Sequence, residues 1–162
     1  MNYQYIVHRG LNTKQVIERY ESYSFPSFRQ KSSVRNLQEP FFVVEAKYND
    51  KIVGLAIIEL MASEKVLKVL SLKVDDEYQR KGIASQILKI AEQIAKNNGA
   101  VYTNIVFQDN WTSFKAMPKL VEKVGWAKPQ QRLTLVKLHY NQVKDLPWFQ
   151  IKDPFRRIQF SA

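Results

Sequence analysis

A chain of 162 residues, 45% hydrophobic and 25% charged, is long enough to bury a core and too apolar to be disordered. It contains no cysteine, which excludes disulfides, thiolate metal sites and a cysteine nucleophile, and His8 and His139 alone make a poor metal set. The net charge of +10 is uneven: residues 1–64 hold 8 Lys/Arg against 7 Asp/Glu, and residues 65–162 hold 17 against 8. That excess suits steering of an anionic cofactor, a basic patch for nucleic acid, or a merely solvated surface. The first residues lack the basic-then-apolar order of a signal peptide. The most apolar run, 52–62, is too short to span a bilayer and contains Glu59. The expectation is a cytoplasmic protein with no membrane role.

Residues 3–8 read as a first strand. Thr13 stands where it can cap a helix over 14–22, with Val16, Ile17 and Tyr20 on one face. Phe25-Pro26-Ser27-Phe28 breaks that pattern, and 29–37 forms a second, weaker helical stretch. Residues 41–48 are a strand, Asn49-Asp50 a hairpin turn, 51–61 the next strand and 66–74 another. A helix then places Ala84, Ile87, Leu88, Ala91, Ile94 and Ala95 inward, with Ser85, Lys89, Glu92 and Lys96 outward, and Asn97-Asn98-Gly99 stops it. Residues 101–107 are a strand. Residues 111–124 are helical, with Pro118 either kinking the helix or marking its true start, and Gly125-Trp126 ends it. Residues 132–140 form a last strand. One domain over 1–140 is expected, followed by an extension over 141–162. The aromatics of that extension, Trp148, Phe149, Phe155 and Phe160, suit docking on the domain or on a partner, a second copy of the chain being one such partner.

Between strand 66–74 and the following helix stands Gln79-Arg80-Lys81-Gly82-Ile83-Ala84. The first N–H groups of a helix have no partners inside it, and the helix dipole favours an anion there. Gly82 lets the backbone approach a ligand, Ala84 stays small, and Arg80 and Lys81 add positive charge. The pattern Gln-x-x-Gly-x-Ala in this setting resembles the acetyl-CoA signature of the GNAT family of N-acetyltransferases, and the element order resembles that family from residue 3 to about 140. The resemblance implies an α/β (α+β) GNAT fold, a mixed central sheet flanked by helices and splayed at the cofactor site. It implies acetyl-CoA as co-substrate, with no metal. Gln79, Arg80, Lys81, Gly82, Ile83 and Ala84 would hold the pyrophosphate, mostly by backbone N–H groups. Leu72 and Val74 would pair their backbone with the pantetheine arm, and Asn110 would touch it.

Acetyl transfer to an amine also needs a base for the amine and a donor for the leaving thiolate. Lys68 and Leu70 stand where many relatives carry a carboxylate or histidine. Ile105 stands where others carry a glutamate, five residues before Asn110. Glu59, closing the apolar run 53–58, is the remaining candidate base, acting through water, with Glu45 and Asp109 as second choices; the plain alternative for each is a surface carboxylate. The family's acid tyrosine falls in a phrase that here reads Leu120-Val121-Glu122-Lys123-Val124-Gly125-Trp126, so Val121 takes its place. Tyr102 and Tyr140 are the substitute donors. Ser71 has no partnered histidine and reads as a strand serine, and Trp111 and Trp126 read as packing aromatics.

The resemblance implies an acetyl-CoA-dependent N-acetyltransferase moving an acetyl group directly to a primary amine of a small molecule or protein. A basic enzyme is expected to favour acceptors with acidic neighbours. A non-catalytic CoA-binding regulatory module of the same fold is the alternative, favoured by the missing tyrosine. A nucleic-acid binder has the basic second half in its favour and no motif.

Overall fold

The computed structural model describes residues 2–24, 40–107 and 116–130. The chain divides into two units, residues 1–129 and 130–162, of which the second is described only at Gln130. The helix expected over 29–37, the strand over 132–140 and the boundary at 140/141 lie outside the described residues. So do Asp109, Asn110, Trp111, His139 and Tyr140.

Eight elements build the described part: β1 (Gln4–Leu11), α1 (Thr13–Tyr20), β2 (Phe41–Tyr48), β3 (Lys51–Met61), β4 (Val66–Val74), α2 (Ile83–Asn97), β5 (Tyr102–Ile105) and α3 (Met117–Lys123). The five strands form one sheet in sequence order. Neighbours run antiparallel except β4 and β5, which are parallel. A tight turn cannot join parallel strands, so α2 carries the chain back across the sheet. The hairpin at Asn49-Asp50 closes with both residues at positive φ, 49° and 62°, the twist that suits a two-residue turn between right-twisted strands.

Several local expectations are corrected. Asn12, not Thr13, caps α1: its side chain accepts from the Gln15 amide at 2.9 Å, and Gln15 Oε1 accepts from the Asn12 amide at 3.0 Å. The two bonds satisfy two end groups at once, which a threonine one residue later cannot do. The helix stops at Tyr20 and tightens into a 3-10 turn over Glu21–Tyr23. Ile83, not Ala84, opens the buried stripe of α2, and Ala84 is half-buried. Glu92, expected outward, is half-buried and accepts a hydrogen bond from Trp126 Nε1. β5 is shorter than 101–107 because its pairing ends at Ile105. Pro118 marks the start of α3, where its missing N–H costs nothing, and introduces no kink.

The sheet has a helix layer on each face. Val44, Ala56, Ile58, Leu67 and Val69 pack against Ile83, Ile87, Leu88 and Ala91 of α2, and Leu120 and Val124 of α3 join them. On the other face Val16 and Tyr20 of α1 cover Phe41, Val43, Leu55 and Ile57. α1 therefore shields β2 and β3, leaving the β4–β5 part of its face to other cover.

Candidate functional site

β4 pairs with β3 from Val66 to Val74, but with β5 only from Val66 to Val69. Past Val69, no strand among the described residues pairs with that edge of β4. The β3–β4 register shows why the strands part there. Ile57 faces Ser71 while Ile58 faces Val69, so Leu70 is the extra residue of a bulge. A bulge bends its strand and steepens the twist, which carries residues 70–74 away from the line of β5. Leu72 and Val74 lie in this half, their side chains packed on the α2 face.

β4 runs directly into the turn that opens α2. Asp76–Tyr78 form a 3-10 turn, and Gln79 Nε2 donates to Asp76 Oδ1 at 2.7 Å and to the Val74 carbonyl at 3.3 Å. The Gln79 side chain is thus engaged in shaping the turn. Arg80 adopts φ 60° and Gly82 φ 82°, with Lys81 between them outside the left-handed region. Such alternation turns successive N–H groups toward one point, making a concavity for an anion. The left-handed backbone costs a non-glycine residue about 1–2 kcal/mol, which Arg80 bears and Gly82 avoids. A Cβ on Gly82 would meet nothing within 4 Å, so its φ, not crowding, asks for glycine.

No side chain caps α2, whose first intrahelical bond from the turn is Gln86 N–H to the Gly82 carbonyl at 3.0 Å. The Lys81 and Lys51 ammonium groups lie 4.9 and 5.9 Å from the Tyr78 ring centroid, close to the turn. Open amides, a positive helix end and three nearby cations suit a diphosphate, so the residues present fit the cofactor implied by the sequence.

The 3-10 turn after α1 is fastened to the half of β4 beyond Val69. Ser71 Oγ donates to the Tyr23 carbonyl at 2.9 Å, and Lys73 Nζ donates to the Ser22 carbonyl at 2.7 Å. The Tyr23 hydroxyl donates to Asp75 Oδ1 at 2.9 Å and to the Ile52 carbonyl at 2.7 Å. Burial, and then the bond to Asp75, push the Tyr23 hydroxyl well above its ordinary pKa, which keeps it a donor. Ser71, expected as a strand serine, has this structural task.

Glu59 lies near the end of β3, the central strand, and is 6% exposed. Its cross-strand neighbours are Phe41 on β2 and Lys68 on β4, and Lys68 in turn faces Asn104 on β5. Leu55 and Ile57 place Glu59 by alternation on the α1 face. Glu45, a second-choice base, is fully buried elsewhere on that face. Tyr20 Oη donates to its Oε1 at 2.6 Å, His8 Nε2 stands 3.0 Å from the same oxygen, and Lys47 Nζ lies 3.3 Å from Oε2. Arg19 approaches to 3.9 Å. Burial alone would push the Glu45 carboxyl up. The hydrogen bond from Tyr20 and the nearby His8 and Lys47 outweigh that and hold it below the ordinary carboxylate value. A carboxylate so surrounded anchors α1 to the sheet and is a poor base.

Val121 is buried in α3, so the position has packing and no proton to give. Tyr102 is 56% exposed and pairs with Val66, three residues and about 10 Å before the end of β5 pairing at Ile105. It stands away from the opening between β4 and β5.

The sequence profile of the Acetyltransferase (GNAT) family matches residues 9–117. The chain belongs to this family. No curated protein sequence matches the chain. Among solved structures, an aminoglycoside acetyltransferase from an uncultured soil metagenomic sample superposes with a TM-score of 0.60 at 15% identity, covering 85% of this chain and 100% of that one. AAC(6')-Iy, in complex with a CoA-containing bisubstrate analogue, gives 0.57 at 10% identity, over 84% and 99%. The IAA acetyltransferase from Bacillus cereus gives 0.58 at 19% identity, over 75% and 76%. At such identities the likeness shows the shared fold: a mixed sheet flanked by helices.

Two features of this acetyltransferase escaped the sequence. The bulge at Leu70 leaves no mark in an apolar strand. The fastening of Tyr23 to Asp75 spans 52 residues with no local pattern.

Proposed function

We propose that this protein transfers the acetyl group of acetyl-CoA directly to the nitrogen of a primary amine. The observation that carries the reading is the continuity between the edge of β4 past Val69, with which no described strand pairs, and the amide-lined turn at Arg80–Gly82. An extended arm lying along residues 70–74 would deliver its diphosphate to that turn. The turn binds the diphosphate through the N–H groups of residues 81–84, and the backbone of Leu72 and Val74 takes the pantetheine amides.

Bound acetyl-CoA supplies the activated acyl carbon. The amine nitrogen forms the new C–N bond as the C–S bond breaks. Glu59 accepts the amine proton through water, and the departing sulfur takes a proton from solvent, since Val121 has none to offer. Solved structures of this fold include enzymes named as aminoglycoside acetyltransferases, which supports an amine as the acceptor. Among the described residues no helix is long and apolar enough to cross a membrane.

Incubation with acetyl-CoA and a panel of amines, read by thiol release and by acceptor mass, tests the proposal. The expected result is release that depends on acceptor. Glu59→Gln should lower it about 100-fold, most severely on the acid side, where less amine is already neutral. Equal rates for Glu59→Gln and wild type would remove Glu59 from the mechanism.

A further inference from the structure

Resting on that acetyl-transfer reading, we infer that the acceptor is an amine bearing a carboxylate or phosphate a few bonds from its nitrogen, and that Lys68 selects it. The slot for the thioester lies between β4 and β5 beyond Val69. One face of the sheet there is filled by α2 and α3. An acceptor must therefore come from the other face, where among the described residues α1 and its 3-10 turn cover β1 to β3 and residues 70–73 of β4 but not the rung at Lys68.

Alternation about the bulge decides what that face presents. Leu67 and Val69 point into the α2 core, so Lys68 points the opposite way, as does Asn104 beside it, because Ile105 packs on the α2 core. The rung closest to the parting of the strands on this face thus reads Glu59, Lys68, Asn104: carboxylate, ammonium, amide. A lysine on an interior strand of a five-stranded sheet is out of keeping with its neighbours. Its side chain is 33% exposed, and it pairs at 3.9 Å with Glu64, whose side chain is itself 54% exposed. Such a pair is weak and screened, and gives way to a better-placed anion.

Cross-strand neighbours stand about 5 Å apart at Cβ. An acid group held on Lys68, at the parting of β4 and β5, keeps the amine nitrogen at the slot's edge, with Glu59 one strand behind and reached through water, and a second cation in the acceptor would be set against Lys68. This selects against polycationic acceptors, the opposite preference from an aminoglycoside site.

The test uses four acceptors of one chain length: 3-aminopropanoate, 3-aminopropyl phosphate, 3-aminopropanol and 1,3-diaminopropane. Wild type, Lys68→Met and Lys68→Glu are compared by kcat/KM, with acetyl-CoA affinity measured alongside. Wild type should favour one or both anionic acceptors over the diamine by about tenfold or more, the stronger of the two telling carboxylate from phosphate. Lys68→Met should level the series and Lys68→Glu should invert it, acetyl-CoA affinity remaining unchanged in both. Transfer without a charge preference, or an order unmoved by Lys68→Glu, overturns the inference while leaving acetyl transfer standing. Failure of the wild type to bind acetyl-CoA overturns both.

Discussion

Gly54 offers a way to move the anion cradle from behind. It lies on β3 beneath the first turn of α2. A Cβ added there would stand 2.9 Å from Ile83 Cγ2, 3.3 Å from Val74 Cγ2 and 3.5 Å from Ile87 Cδ1. Ordinary carbon contacts begin near 3.5 Å, so Gly54→Ala demands a shift of about 0.6 Å. Ile83 Cγ2 sits one bond from the Cβ of a β-branched residue with a stiff χ1 in a helix, and cannot swing aside. The backbone of the first turn must lift, and with it the amides of Ile83 and Ala84. Overpacking of this kind costs about 1–3 kcal/mol, against a gain of about 0.5–1 kcal/mol from replacing glycine in a strand. At the midpoints of these ranges the clash wins by about 1 kcal/mol, with extremes of about 0 and 2.5 kcal/mol. Acetyl-CoA affinity should fall up to tenfold, since about 1.4 kcal/mol corresponds to that factor. Urea melts give the first quantity and calorimetric titration the second. Ile83→Ala removes the clashing methyl, so Gly54→Ala should cost clearly less in that background. Wild-type stability and affinity in Gly54→Ala would refute the packing of α2 against Gly54.

The buried cluster at Glu45 yields further expectations. Tyr20→Phe removes a hydrogen bond to a buried charge and should lower stability by about 1.5–3 kcal/mol in urea melts. Because the Glu45 carboxyl is held below its unfolded value, its contribution is fully present above the unfolded carboxylate range and is lost as pH falls through the depressed folded value. Stability measured from neutral to acid pH should therefore fall more steeply in wild type than in Glu45→Gln; parallel curves would contradict the pairing. Tyr23→Phe unfastens the turn at Glu21–Tyr23 from Asp75 and should cost about 1 kcal/mol, read in the same melts.

What the sequence revealed and what it hid follow one physical division. β2, β3 and β4 are bounded as read, because alternation and an Asn49-Asp50 turn are local signals. The turn at residues 79–82 between β4 and α2 was legible for the same reason: glycine, polar residues and helix start are contiguous. Asn12 with Gln15 also carries a local capping signature, and the cap was misplaced only because Thr13 competes beside it. The Glu45 cluster draws on His8, Arg19, Tyr20 and Lys47, which only the tertiary fold gathers. The rung of Glu59 with Lys68 and Asn104 depends on register, which the bulge at Leu70 alters. Taken singly, Lys68 reads as a lost base; beside Glu59 at the parting of β4 and β5 it becomes a candidate recognition group.

The most direct measurement is calorimetric titration of the purified protein with acetyl-CoA, wild type against Gly82→Asp. A carboxylate at residue 82 sets negative charge among the amides meant for the diphosphate, with no crowding to disturb the core. Saturable micromolar-range binding by the wild type, lost in a variant that still melts cooperatively, is the predicted result. Wild type without binding, or a variant that binds as tightly, would contradict the account.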